Sequence, residues 1–311
     1  MKWLKNLIKA SLQRILILAQ RSYHFAKFCY MYKKARELKG LSGSPLIIIQ
    51  MGKVGSKSVK RTLDALDLDM PIYHSHLLTK ARIAETEKKR KKFFRTSRES
   101  YLKRPWLNQF LRTQIDKGLV DKKWKLITLT RDPVARNLST FFENLEVRLL
   151  NDNDEFVIES DYYDIHALTV TSDDVQVLTE LFHDRVKHDS PLEFFDRELK
   201  GVFGVDVYGS EFPKSKGYKI YNDKIADVLL IRLEDLDYRA PEAFKEFLDI
   251  DNFILKHENI GSNKNYSAIY ARFKREIYLS ETYLDKFYNS KYMRHFYTEE
   301  EINTLREKWF R

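Results

Sequence analysis

An apolar strand followed at once by a loop of glycine, lysine and serine is the feature that most constrains the fold of this 311-residue chain. The run from Pro45 to Gln50 (Pro-Leu-Ile-Ile-Ile-Gln) is typical of a buried parallel strand. The residues from Met51 to Ser58 read Met-Gly-Lys-Val-Gly-Ser-Lys-Ser, and apolar residues at helical spacing follow them. Because this order brings backbone N–H groups and a helix N-terminus together, the sequence predicts an anion-binding loop in an α/β fold.

The remainder of the chain alternates between strand and helix patterns. Short apolar runs predict further strands at 71–73, 124–130 and 226–233. Helical spacing predicts helices at 58–66, 80–117, 132–149, 175–200, 241–248 and 298–310, and the acidic stretch 151–175 is expected to be a loop. Strands that alternate with helices indicate a parallel central sheet flanked by helices, a three-layer α/β sandwich. We therefore expect one α/β domain over residues 41–311.

Residues 1–40 form a separate basic, amphipathic N-terminal segment. Lys2, Lys5, Lys9 and Arg14 alternate with apolar residues at three- to four-residue spacing, which predicts a helix. Its longest apolar run, residues 15–19, is far too short to cross a bilayer. Such a helix can lie on an anionic membrane or dock on the domain core, and the sequence alone leaves both interpretations open.

The composition of the chain indicates which kinds of partner it binds and which cellular compartment it occupies. The net charge of +10 favours anionic partners, although charge alone does not separate nucleic acid, acidic glycan, anionic lipid and nucleotide. The single cysteine, Cys29, excludes a disulfide within the chain and favours a cytoplasmic location. The sequence has no clustered set of His, Cys and Asp ligands, so we expect no metal site. Two separate anion motifs at strand ends are not what a general nucleic-acid binder requires, and we expect no specific nucleic-acid partner.

The loop allows two interpretations as a phosphate site. In the Walker A pattern of kinases and NTPases, Lys57 and Ser58 fit, but Met51 and Ser56 occupy both glycine positions. The segment Lys53-Val54-Gly55-Ser56-Lys57-Ser58 instead resembles the 5′-phosphosulfate loop of the sulfotransferases that use 3′-phosphoadenosine 5′-phosphosulfate (PAPS), although Lys57 replaces the usual Ser or Thr. The resemblance implies that these six residues bind the donor. The alternatives are a P-loop kinase or NTPase with a degenerate Walker A motif, or a non-catalytic protein that binds anions or a membrane surface.

A second motif follows the third predicted strand. Arg131-Asp132-Pro133 lies at a strand's carboxyl end, where open α/β sheets bind ligands, and Ser139 follows about two helical turns later. The arrangement resembles the 3′-phosphate motif of the same family, which implies that Arg131 and Ser139 bind the nucleotide. Without that resemblance, Arg131 and Asp132 would be interpreted as a helix cap with a charge pair. We expect Arg136 to be solvated or salt-bridged.

Two later segments extend the resemblance over residues 45–310. Leu230 to Leu236 is similar to a late strand of sulfotransferases that ends in Glu-Asp-Leu, and its acids, Glu234 and Asp235, are expected to cap the next segment. Asn259 to Ser267 resembles the Asn-Lys-x-Tyr-Ser signature of bacterial capsular polysaccharide synthesis proteins, with Asn265 in place of the expected aromatic residue. The resemblance makes Lys264 a candidate for binding the 3′-phosphate.

Together these resemblances imply transfer of the sulfuryl group from PAPS to a hydroxyl of a glycan or glycolipid, without a metal. Lys53 is expected to stabilise the leaving oxygen. His74 and His76 follow the second predicted strand, share one face, and are suited to general-base work as neutral imidazoles. This placement resembles the His-x-His of uronyl 2-O-sulfotransferases, where the first His is the base. Their alternative role is structural, as histidines bonded to the backbone. We expect the protein in the cytoplasm, at the inner face of the membrane if residues 1–40 bind lipid.

Overall fold

A computed structural model describes residues 23–40, 42–91, 99–119, 122–143, 145, 172–257 and 266–309. Its centre is a five-stranded sheet with strands β1 (Leu46–Ile49), β2 (Ile72–Ser75), β3 (Trp124–Thr130), β4 (Tyr218–Asn222) and β5 (Ala226–Arg232). The strand order is β2-β1-β3-β5-β4, with β4 antiparallel to β5 and every other neighbouring pair parallel. The predicted parallel sheet flanked by helices is therefore confirmed, with one antiparallel edge strand added.

The helices that follow the strands form the outer layers of the sandwich. In chain order they are α1 (Tyr23–Gly40), α2 (Ser56–Asp64), α3 (Lys80–Lys91), α4 (Glu99–Lys117), α5 (Pro133–Glu143), α6 (Ser172–Arg185), α7 (Ser190–Phe194), a π-helical turn (Phe195–Lys200), α8 (Gly201–Phe203), a 3₁₀ turn (Leu233–Asp235), α9 (Leu236–Leu248), α10 (Ser267–Glu276), α11 (Glu281–Tyr288), α12 (Lys291–Phe296) and α13 (Glu299–Glu307).

The central strands are buried on both faces, as expected for a sheet covered by two helical layers. All four residues of β1 and the apolar residues of β5 are inaccessible to solvent. Each such Leu or Ile side chain contributes roughly 1.5–3 kcal/mol by leaving water. This core holds the carboxyl ends of β1 and β3 in a fixed register, Leu46 beside Lys125 and Ile48 beside Ile127.

Helix α1 packs on α4 through one face and leaves the other in solvent. The buried Tyr23 accepts a hydrogen bond from Trp106 Nε1 at 2.9 Å, and the two rings meet edge to face. On the opposite face, Phe28 and Tyr32 are 64% and 60% exposed and stack on each other. Within the described residues, no helix is long and apolar enough to cross a membrane.

Several predicted boundaries need correction. Strand β4 was not predicted, because Tyr-Lys-Ile-Tyr-Asn is a half-exposed edge strand without an apolar run. The predicted helix 175–200 is broken after Arg185, and α7 starts anew with a proline in its first turn. The predicted loop 151–175 lies outside the described residues up to 171, and its last residues already belong to α6. Of the predicted helix 80–117, residues 92–98 lie outside the described part.

Candidate functional site

The candidate site lies at the point where the direction of strand addition reverses. From β1 the chain runs outward to β2 and then crosses back to β3 on the other side of β1. The carboxyl ends of β1 and β3 therefore diverge into helices on different sides, and a crevice opens between them. A cavity of about 660 Å³ occupies this edge of the sheet. Its lining includes both predicted strand-end motifs.

The loop between β1 and α2 has a left-handed backbone at two positions. Lys53 has φ 72° and Gly55 has φ 86°. A left-handed conformation is rare for a residue with a side chain, so Lys53 is held in place against a local conformational preference. At Gly55 a Cβ atom would lie 2.6 Å from Leu233 Cδ1, so both the backbone angle and the space require glycine. Helix α2 begins directly after this residue, which points its N-terminus at the cavity.

Two arginines bind the loop's carbonyl oxygens. Arg131 Nη1 donates to Lys53 O at 2.8 Å, and Arg136 Nε donates to Gly52 O at 3.1 Å. These two hydrogen bonds fix the loop backbone to the end of β3 and to α5. Arg136 lies on a helix as predicted, but the expectation that it is solvated is wrong. Its side chain is buried because the α5 face that carries it packs against the loop.

An acidic side chain, Glu143, lies among the cations of the loop. Its carboxylate accepts a hydrogen bond from Lys53 Nζ at 3.0 Å and lies 3.6 Å from Lys57 Nζ. The Tyr266 hydroxyl donates to the same carboxylate at 3.1 Å. Glu143 is four residues after Ser139 on α5, so both face the cavity from one side of the helix. The Glu143 carboxylate is therefore the common ion-pair partner of Lys53 and Lys57.

The two predicted histidines also line the cavity, with ring centroids 4.9 Å apart. His74 Nε2 lies 3.0 Å from Ser56 Oγ, so that nitrogen is already engaged with the loop. His76 Nδ1 donates to Gln50 O at 3.1 Å, which leaves Nε2 as the unprotonated nitrogen of the neutral ring. Burial, then the neighbouring His76 and the charge of Arg104, lowers the pKa of His74 to about 3. Burial likewise lowers the pKa of His76, so both imidazoles are neutral at pH 7.

The backbone of the second motif is fixed by a buried tyrosine. The Tyr292 hydroxyl accepts a hydrogen bond from Arg131 N at 3.1 Å and donates to Arg131 O at 3.0 Å. The ring is fully buried and stacks on Phe195. This contact could not be predicted from sequence, because Tyr292 is far along the chain in α12. Its effect is to hold the Arg131 backbone at the end of β3 in one position.

Three acidic residues near Arg131 make contacts within the fold and do not line the cavity: Asp132, Glu234 and Asp235. Asp132 is buried, and its carboxylate accepts hydrogen bonds from Val134 N at 2.9 Å and Tyr288 Oη at 3.1 Å. Burial and the nearby Glu234 raise the pKa of Asp132 to about 6. The prediction that Glu234 and Asp235 cap the next helical segment is wrong, because neither makes a side-chain cap.

Glu234 and Asp235 instead bind side chains and backbone outside the following helix. Glu234 accepts from Asp132 N and from Tyr297 Oη, both at 2.9 Å, and so ties β5 to β3. Asp235 pairs with Arg232, which also reaches Glu301 at 2.8 Å. These contacts join the end of β5 to the C-terminal helices.

Aromatic residues of α10 close the remaining wall. The Tyr270 hydroxyl lies near Ser139, and its ring lies 4.9 Å from that of Phe142. Tyr266 is one turn earlier on the same wall, 5.9 Å from Phe142. An apolar wall facing a cationic one is suited to a ligand that has both rings and anionic groups.

Most of the predicted donor residues face one cavity. Its lining contains Lys53, Gly55, Ser56, Lys57, His74, His76, Arg131 and Ser139. Val54 and Ser58 are buried outside it, and Lys264 lies outside the described residues. Sequence reasoning missed Glu143, Arg104, Lys274, Tyr266 and Tyr270. Glu143 could have been found from its spacing, because it follows Ser139 by four residues and so lies on the same face of the helix. Among the described residues, no group of three His, Cys, Asp or Glu side chains could hold a metal ion.

Comparison with known proteins adds one finding. The model of a family described as "putative capsular polysaccharide synthesis protein" matches residues 168–298, which is less than half of the chain. The matched part includes β4, β5 and the segment that carries Lys264, whereas the loop after β1 and Arg131 lie outside it. Neither the curated proteins nor the solved structures yielded a match. Residues 168–298 are thus similar to that family.

Proposed function

We propose that this protein is a sulfotransferase that moves the sulfuryl group of PAPS to a hydroxyl of a capsular glycan or its glycolipid precursor. One observation carries the proposal. Arg131, at the end of β3, donates to the carbonyl of Lys53, in the loop at the end of β1, so two cationic motifs are joined in one cavity. A donor with an anionic group at each end of a nucleoside requires two such sites close together.

In this proposal the loop binds the 5′-phosphosulfate. The N–H groups before α2 and the ammonium groups of Lys53 and Lys57 supply the positive potential. The phosphosulfate replaces the Glu143 carboxylate as the partner of both lysines, because the two anions compete for one position. Arg131 and Ser139 bind the 3′-phosphate, with Lys264 as the remaining candidate from the sequence.

Of the two histidines, His76 is better placed as the general base. Its Nε2 has no hydrogen-bonding partner among the described residues, whereas Nε2 of His74 is bonded to Ser56. The lowered pKa of His76 keeps the ring neutral before reaction. A bound donor adds several negative charges to the cavity, which raises the affinity of this nitrogen for a proton at the moment of transfer.

The reaction that these groups support is a direct displacement at sulfur. The acceptor hydroxyl oxygen forms a bond to sulfur as its proton passes to His76 Nε2. The bond between sulfur and the bridging phosphate oxygen breaks, and the electron pair stays on that oxygen. Lys53, on the loop that would hold this phosphate, is placed to neutralise the charge. The products are the sulfate ester and 3′-phosphoadenosine 5′-phosphate, and the proton leaves His76 for solvent.

A P-loop kinase with Mg²⁺ is the second candidate, supported by the loop's position alone. Such an enzyme holds the metal with a Ser or Thr of the loop and an acid at the end of a neighbouring strand. Here β3 ends in Thr130 and Arg131, and the next acid, Asp132, points into the core. Glu143 is the one carboxylate in the lining formed by the described residues, and it is bound to Lys53. Because both acids are engaged in other contacts, the cavity favours PAPS, which needs no metal, over ATP with Mg²⁺.

Two observations support a membrane-associated glycan as acceptor. The family match concerns capsular polysaccharide synthesis. Helix α1 exposes Phe28 and Tyr32 beside the exposed cations Lys33, Arg36 and Lys39, a combination that suits the surface of an anionic bilayer. The protein would then meet lipid-linked glycan intermediates at the inner face of the membrane.

The test is a transfer assay with two labelled donors. The protein is incubated with desulfated polysaccharides and either ³⁵S-labelled PAPS in EDTA or γ-³²P-labelled ATP with Mg²⁺. We expect ³⁵S in the polysaccharide, no ³²P, and loss of about 10²-fold or more in Lys53→Ala. Transfer of ³²P without ³⁵S would refute the proposal and favour the kinase. Lys80→Ala, a substitution of an exposed lysine paired with Asp116 outside the cavity, is the matched control.

A further inference from the structure

The cavity contains more positive charge than the proposed donor sites use. Its cationic lining residues are Lys53, Lys57, Arg104, Arg131 and Lys274. In the proposed function the first two and Arg131 receive the donor's anionic groups. Lys274 lies at 5.3 Å over the Tyr270 ring, on the wall formed by α10. Arg104, which lines the cavity from α4, is left without a role in donor binding.

Arg104 also differs from the other cavity cations in its contacts. Lys53 and Lys57 pair with Glu143, and Arg131 donates to the Lys53 carbonyl. Arg104 is exposed and makes no hydrogen bond or ion pair with another residue in the described ranges. A guanidinium that faces a cavity without an acid partner presents five N–H donors to whatever enters.

The backbone that carries Arg104 is firmly placed. Trp106, two residues later, is buried and bonded to Tyr23 of α1. Asn108 Oδ1 accepts a hydrogen bond from Ser75 Oγ at 2.9 Å, which fixes α4 to the end of β2. The positive charge of Arg104 also contributes, after burial, to the lowered pKa of both His74 and His76. Because α4 is bonded to the end of β2, where both histidines lie, Arg104 lines the cavity on the side where the acceptor hydroxyl would be deprotonated.

We propose that Arg104 binds an anionic group of the acceptor, so that the acceptor is an acidic sugar. This inference rests on the proposed function. A planar guanidinium matches the two oxygens of a carboxylate or phosphate in a bidentate pair. An acid on the acceptor ring, held by Arg104, would orient a hydroxyl of the same ring toward His76. The acidic group is a uronic acid carboxylate or a sugar phosphate.

The test compares three sugars that differ in charge. Methyl glucuronide, glucose 6-phosphate and methyl glucoside are titrated by NMR into the full-length protein, with and without 3′-phosphoadenosine 5′-phosphate. We expect wild type to prefer at least one acidic sugar over the neutral one by about ten- to hundredfold, the value of a charge-assisted pair. Whichever acidic sugar binds more tightly shows whether Arg104 binds a carboxylate or a phosphate. Arg104→Gln should lose the preference and keep its affinity for the bisphosphate.

Arg112→Gln is the matched control, because Arg112 lies on the same helix, outside the cavity, paired with Asp116. It should retain the preference for the acidic sugar. Equal binding of all three sugars by wild type, or an unchanged preference in Arg104→Gln, would overturn the inference. So would a loss of bisphosphate affinity in Arg104→Gln, because Arg104 would then be a donor residue. Failure of the bisphosphate to bind wild type would refute the proposed function, and the titrations without nucleotide would still decide the role of Arg104.

Discussion

Replacing Gly55 by alanine should destabilise the protein far more than the same change three residues earlier. A left-handed backbone costs a residue with a side chain roughly 1–2 kcal/mol, and Gly55 has φ 86°. The new methyl group would lie 2.6 Å from Leu233 Cδ1, and displacing that leucine from its rotamer costs about 0.5–1.5 kcal/mol. We expect the free energy of unfolding to fall by about 2–3 kcal/mol in Gly55→Ala.

Gly52→Ala is the control for this measurement. Gly52 lies in the same loop, but its φ is outside the left-handed region and a Cβ atom would meet nothing within 4 Å. Both substitutions restrict the unfolded chain equally, so their difference reports the folded loop alone. The free energies of unfolding are measured by urea titration followed by tryptophan fluorescence. If Gly55→Ala is within about 0.5 kcal/mol of Gly52→Ala, the loop geometry argued here is wrong.

Three further predictions concern the loop backbone, the histidines and α1. Lys53→Gly should be more stable than Lys53→Ala by about 0.5–1 kcal/mol, because glycine relieves the left-handed strain; equal stabilities in urea would contradict this. Burial lowers the pKa of His74 to about 3, so its stabilising contribution is complete above pH 6.5 and falls as the unfolded chain takes up a proton at lower pH. Between pH 7.5 and pH 5, the free energy of unfolding should therefore fall by about 2 kcal/mol more in wild type than in His74→Gln. If it falls equally in both proteins, His74 is not a buried neutral ring. The double variant Phe28→Ser/Tyr32→Ser should sediment less with phosphatidylserine vesicles than wild type or Tyr238→Ser, a control at another exposed site. Equal sedimentation would show that α1 does not bind the membrane.

The fold could be predicted where burial is complete and not where it is partial. Strands β1, β3 and β5 contain runs of buried apolar residues, and such runs are visible without a structure. Strand β4 lies at the sheet edge and has only two buried residues, Tyr218 and Tyr221, so its sequence resembles that of a loop. The break after Arg185 within the predicted helix 175–200 has a local signal in Pro191, which the helical spacing outweighed.

The site could be predicted as a set of cations but not as a network. Loop position and charge were enough to select Lys53, Arg131 and the histidines, and the cavity joins them. Glu143 and Arg136 depend on which face of α5 meets the loop, and that is decided by packing across the sheet. The sequence therefore predicts a solvated or salt-bridged Arg136, whereas this residue binds the Gly52 carbonyl from a buried position.

Calorimetric titration tests whether the cavity binds a nucleotide with anionic groups at its 3′ and 5′ positions. 3′-Phosphoadenosine 5′-phosphate in EDTA and ADP with Mg²⁺ are titrated separately into wild type, Arg131→Ala and Arg112→Ala, a control outside the cavity. We expect metal-independent binding of the bisphosphate to wild type and the control, loss of about tenfold or more in affinity in Arg131→Ala, and no binding of ADP. Binding of ADP with Mg²⁺ and not of the bisphosphate would refute the proposed donor site.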